Sequence, residues 1–193
     1  MELRHELAPA LRRRFRTGRI CLDFTHTGGD GEEARWEILH EPADVARFLG
    51  IITETEPPIV RPNHLGEVLE LRRCITALAR TQVAGEQVPP GHFQVINEAA
   101  SKQPLIPQLD AERHQQLLPG TAMQALSTIA RDAIDLFSSA LAERIKVCEA
   151  DDCGLLFVDT SRPRNRRWCS MEWCGDRAKK RSAGRPVRQG PMP

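Results

Sequence analysis

Two long stretches of the chain carry hydrophobic residues at helical spacing. Between Asn63 and about Gly85 they fall at Leu65, Val68, Leu69, Leu71, Ile75, Leu78, Ala79 and Val83. That is one face of a 3.6-residue period, with Gly85 as its natural stop. The second stripe follows Thr121 and reads Met123, Leu126, Ile129, Ala130, Ala133, Ile134, Phe137, Leu141 and Ile145, which predicts the core helix of the body. A helix from Pro89-Pro90-Gly91 to about Lys102 is expected between them. A shorter helix begins at Pro42, with Asp44 near the positive end of its dipole, and a proline-rich loop follows over 53–62.

Elsewhere the pattern shortens. The run Ile20 to Thr27 alternates β-favouring apolar and polar residues and ends at Gly28-Gly29-Asp30-Gly31. It reads as a strand and a turn, with Trp36 to Leu39 as a short partner strand. Residues 105–118 read as short strands or a loop, and 8–16 as a weakly helical arm. The Gly-, Pro- and Arg-rich segment 183–193 reads as a disordered basic tail. The expected fold is α+β: a mostly helical body with a few short strands, plus a small C-terminal module.

Composition changes this picture through its distribution. The chain has 193 residues, 40% hydrophobic and 27% charged, with a net charge of +1. From Thr160 onwards there are ten basic and two acidic residues, net +8, and the residues before carry 17 and 24, net −7. An acidic body is joined to a basic tail, which allows the basic face to dock on the body. No run approaches the roughly 18 apolar residues of a membrane span. The N-terminus is too charged for a secretory signal. A cytoplasmic protein is expected, with reduced thiols, so clustered cysteines read as metal ligands.

The cluster is Cys148-x4-Cys153, then fifteen residues, then Cys169-x4-Cys174. Two short-range pairs on two turns can complete the thiolate tetrahedron that structural zinc prefers, with no position open for water. Gly154 and Gly175 each follow the second cysteine of a pair, where a positive φ would turn amides towards sulfur. Trp168 and Trp173 flank the second pair as a hydrophobic cover. Arg162, Arg164, Arg166 and Arg167 fall on the loop between the pairs, and Arg177, Lys179, Lys180 and Arg181 on a helix after them. One zinc ion would bring both groups into a surface suited to phosphate oxygens. Cys21 and Cys74 read as buried inert thiols.

In the body, Asp23 and His26 with Arg35 or Arg72 form a candidate small-ligand pocket. The alternative is a strand-capping aspartate and a surface histidine. No nucleophile elbow, phosphate loop or dinucleotide fingerprint is present, so no enzyme is expected.

The run Arg144 to Cys148, with Cys153-Gly154-Leu155-Leu156-Phe157-Val158-Asp159, Arg166-Arg167-Trp168-Cys169 and Cys174-Gly175-Asp176-Arg177, closely resembles the CGNR zinc fingers of bacteria. Ile20-Cys21-Leu22-Asp23-Phe24 through Thr27 resembles the opening of the ABATE domain that precedes such fingers. The resemblance implies an ABATE-like sensing or ligand-binding body over 1–143, a treble-clef or ribbon-like finger over 144–182, and a stress-linked transcriptional regulator that binds DNA through the finger. A protein-interaction ribbon or an RNA-binding protein, either needing exposed tryptophans, are the alternatives. Asp176 stands where the family motif has Asn. As an ionised acceptor it cannot donate to a phosphate or a base, but it can still favour a helix start.

Overall fold

The computed structural model describes residues 14–183. The helices in chain order are α1 (Ile20–Thr25), α2 (Pro42–Thr53), α3 (His64–Ala84), α4 (Pro90–Ser101), α5 (Ala122–Ser138) and α6 (Asp176–Ala183). Two antiparallel hairpins interrupt them: β1 (Pro107–Leu109) with β2 (Gln115–Leu117), and β3 (Ile145–Val147) with β4 (Leu156–Val158). The tail over 184–193 and most of the expected arm lie outside the described residues.

The two periodic stripes form helices, and their ends have local causes. Gly85 closes α3 in the left-handed conformation at φ 70°, which costs a glycine little. Thr121 caps α5: its hydroxyl accepts from the Gln124 amide while the Gln124 side chain accepts from the Thr121 amide, a reciprocal capping box. The helix stops at Ser138, short of the expected stripe. Leu141 lies in the turn that follows, and Ile145 is the first residue of β3. Leu126, Ile129, Ala130, Ala133 and Leu136 of α5 are buried in the main core.

The expected strand at Ile20–Thr27 is instead helix α1, and its expected partner is no strand: Trp36 ends a 3₁₀ turn over Gly31–Trp36 and residues 37–39 are irregular. The cause is burial. Five of the six α1 residues are inside, so no polar face reveals the helical period. Its polar side chains are satisfied locally. Thr25 Oγ1 donates to Leu22 O, Thr27 Oγ1 to Phe24 O, and Asp23 Oδ1 accepts from the Thr17 amide and hydroxyl. Gly28, at φ 137°, lets the chain return closely, since a Cβ there would sit 2.6 Å from Glu37 Cα. Glu37 thereby meets Arg72, which donates to it at 2.8 and 2.6 Å. Burial opposes the Glu37 carboxylate, but Arg72 together with the Leu39 and Ile38 amides outweighs it and holds its pKa below the ordinary value.

The β3–β4 hairpin joins two cores. Ile145, Leu156 and Val158 belong to the main cluster, whereas Phe157 belongs to a second one with Cys148, Cys153 and Cys174. Because side chains alternate along a strand, β4 is apolar on both faces. The module is therefore built into the body rather than tethered to it.

Candidate metal centre and the surface around it

The first cysteine pair sits at the turn of the β3–β4 hairpin. Cys148 N donates to Leu155 O, and Cys153 N to Ala150 O. Gly154, at φ 72°, turns the chain so that the Leu155 amide reaches the Cys153 sulfur. The second pair brackets the entry to α6. Cys174 lies in a single π-helical turn, Met171–Gly175, where Ser170 O accepts from both Cys174 N and Gly175 N. Gly175 does not have the expected positive φ. It matters by size, because a Cβ there would lie 3.2 Å from the Met171 methyl.

All four sulfur atoms lie within 4.8 Å of one another, with Cys153–Cys169 and Cys169–Cys174 at 3.7 Å. A zinc tetrathiolate with bonds of about 2.3 Å has edges of about 3.8 Å. Hydrogen bonds from Cys153 and Cys169 pull the Cys148 thiol down to about 2. The ionised Cys148 pushes Cys153 up to about 12, and Cys169 is raised as well. Four thiols this close need a divalent cation to ionise together. The set fits one structural zinc, closed to water. Arg177 Nη2 approaches Cys174 Sγ at 3.5 Å, placing positive charge beside the thiolates. Trp168 and Trp173 are half-buried against the cluster, and Arg167 stacks on the Trp168 ring at 5.1 Å.

The basic residues divide by what they touch. Arg166 is drawn inward: its guanidinium donates to Trp168 O and Cys169 O and lies 4.9 Å over the Phe157 ring. Arg167 pairs with Glu149 and Arg177 with Asp152, both acids of the first cysteine turn. Arg162, Arg164, Lys179 and Lys180 are exposed. Asp176 opens α6 and lies 3.9 Å from Lys179, an acid at the end of the helix where the dipole favours one.

Two residues that the sequence reading passed over organise the arginine loop. Asp159 is fully buried at the end of β4. It accepts from Lys146 Nζ, from the Ser161 amide and hydroxyl, and from the Arg166 amide. Lys146 Nζ also donates to Arg164 O and Arg166 O. The Asp-x-Ser spacing directly after a strand is the available signal for this turn. Burial opposes the Asp159 charge, but Lys146 and the other donors hold the pKa well below 3.8. A depressed carboxylate adds stability that is complete above the unfolded pKa and lost only as pH falls towards the folded one. Asp159→Asn is expected to destabilise the zinc-loaded module by about 1–3 kcal/mol. Denaturant melts should show that deficit unchanged between pH 7 and 5. A deficit that grows as pH falls through that range would mean the folded carboxyl titrates above its ordinary value.

The four residues of the expected body pocket do not all meet. Asp23 is tied to Thr17, and Arg72 is committed to Glu37 and Thr27. His26 and Arg35 line a cavity of about 100 Å³ against the module. There the body donates to backbone carbonyls of the cysteine turn: Arg35 to Cys153 O at 3.0 Å and Arg80 to Gly154 O at 2.8 Å. His26 Nε2 lies 2.9 Å from Leu156 O, and Nδ1 lies 2.7 Å from Arg14 O. Burial lowers its pKa to about 4, against the pull of both carbonyls, so the ring is neutral at pH 7. These contacts reverse the charge-docking expectation: cations of the body hold the module.

The geometry defines a class: a helical body carrying a small four-cysteine zinc finger. Comparison with known families agrees. Residues 18–140 match the ABATE family, described as "Putative stress-induced transcription regulator", and residues 144–185 match the CGNR zinc finger. The chain belongs to the ABATE family and carries a CGNR finger after the ABATE domain. Neither description is of an enzyme. Among curated proteins no sequence matches the chain. No helix among the described residues is long and apolar enough to cross a membrane.

Proposed function

We propose that this protein is a cytoplasmic zinc-dependent transcription regulator that binds duplex DNA through the finger, 144–182, with the body, 1–143, as its sensing part. One observation carries this reading. Exposed cations stand on both segments held by a single closed metal site: Arg162 and Arg164 on the loop, and Arg177, Lys179 and Lys180 on α6, where Arg181 follows. Arginine forks and lysine ammoniums on a rigid mount suit a row of phosphates. Arg166 serves the mount itself, and Arg167 contributes from the rim. The half-buried tryptophans favour phosphate contact over the stacking that an RNA or protein partner would need.

Binding to random duplex DNA over a salt series tests the proposal. Affinity should fall steeply with salt. Arg162→Ala/Arg164→Ala should weaken binding at every sequence and reduce the slope of log K against log salt by about 2. The zinc content should stay at one per chain. No detectable binding at low salt by the zinc-loaded protein would overturn the reading.

A further inference from the structure

A cavity of about 410 Å³ opens at the seam between body and finger, adjoining the smaller one beside Arg35, with His26 and Leu155 on the walls of both. The body side contributes Arg14 and Arg16, and the finger side Arg166, Phe157, Met171 and Trp173. Its volume is in the range of small-ligand pockets.

The charge on its walls is unbalanced. Elsewhere, Arg19, Arg72, Arg73, Arg80, Arg167 and Arg177 each meet a carboxylate. Among the described residues none of the three arginines around this cavity does, and the same holds for Arg35 and Arg144, which donate only to carbonyls. Arg14 directs Nη1 at the carbonyls of His26 and Trp36, at 3.1 and 3.0 Å, and stacks on the Trp36 ring at 4.6 Å. Arg166 meets only carbonyls and the Phe157 ring. Among the described residues, Arg16 has neither an ion pair nor a hydrogen bond. Burial lowers the Arg14 pKa and the Cys153 sulfur offsets this only in part, which marks a guanidinium partly removed from water. The one acid on the wall is Glu172, which is exposed.

We propose that this cavity binds a small aromatic carboxylate of one or two rings. The carboxylate sits at Arg14 and Arg16, whose planar forks match it. It keeps to the body side because Cys169, a member of the negatively charged cysteine cluster, lines the finger wall. The rings lie against Phe157, Met171 and Trp173, where an aromatic face finds apolar and polarisable partners. Neither wall completes the site alone. The proposal is independent of DNA binding, because ligand affinity is read on the free protein.

Calorimetric titration of the zinc-loaded full chain at low salt tests it, with 1-naphthoate as the probe. Naphthoate is expected to bind with a Kd below about 1 mM. Its uncharged isostere, 1-naphthalenemethanol, should bind at least about tenfold more weakly, since the charge-assisted contacts are lost. Inorganic phosphate should give no saturable heat. Arg16→Glu should weaken naphthoate about tenfold or more, and Glu172→Gln should tighten it a few-fold. Both should keep one zinc per chain and the parent melting temperature, and Arg16→Gln serves if the reversal misfolds. No naphthoate binding up to millimolar concentration, or equal affinity for the alcohol, overturns the proposal. So does phosphate binding as tight as naphthoate, or a naphthoate affinity indifferent to Arg16.

Discussion

Replacement of Cys169 by serine is expected to strip zinc from the finger while leaving a folded, weakened body. Cys169 is central to the cluster: its sulfur lies 3.7 Å from those of both Cys153 and Cys174. Three thiolates and a hydroxyl bind zinc far less tightly. The metal contributes roughly 10–16 kcal/mol to structural sites of this kind at neutral pH. Without it the second core, Phe157 with the cysteines, is too small to persist. Metal analysis after dialysis against a weak chelator should find well under one zinc per chain. Hydrogen exchange should show lost protection over 148–175. Helix α5 should stay protected, because Leu126, Ile129 and Leu136 rest in the main core. A fully retained zinc, or an α5 that exchanges as freely as the finger, contradicts the expectation.

Leu156→Ala should damage both parts at once. Leu156 is 2% exposed and packs in the main core from β4. Truncating a buried leucine costs about 2–5 kcal/mol, against a total stability of about 5–15 kcal/mol for a domain. The melting temperature of the body should fall clearly. Zinc competition should also weaken, because Leu156 anchors the strand whose turn places Cys148 and Cys153. Phe157→Leu is the counterpart one residue along. It faces the second core, so zinc retention should drop with little change in the melting of the body. If the two variants behave alike, β4 does not divide two cores in the way its alternation indicates.

These neighbours show what the sequence disclosed. The cysteine quartet was legible because metal geometry imposes short spacings that survive without knowledge of the fold. Helices α3 and α5 were legible because each keeps a solvent face that makes the period visible. Helix α1 was not: Cys21, Leu22, Asp23, Phe24 and Thr25 are all inside, and a short, fully buried segment shows no period. Its polar residues alternate with apolar ones for reasons of local hydrogen bonding, which imitates a strand. The strand at Leu156–Val158 could be seen, but not that its faces enter different cores, since docking decides that. The same holds for the arginines. Spacing cannot distinguish Arg166, spent on Trp168 O and Cys169 O, from Arg164 two residues before, which points to solvent. The body pocket failed likewise, because Glu37 and Thr17, the partners of Arg72 and Asp23, are reached only through the turns around Gly28 and Gly18.

The hairpin shared by two cores has a mechanical consequence. Only residues 139–144 separate α5 from β3, and they are held by Ala142 N to Ser139 O and Arg144 N to Leu141 O. No slack tether is available to absorb a load. A pull applied to α6 passes through the zinc cluster into β3 and β4, and from there into the helices as shear along the two strands. Whatever the finger grips, the body must turn with it.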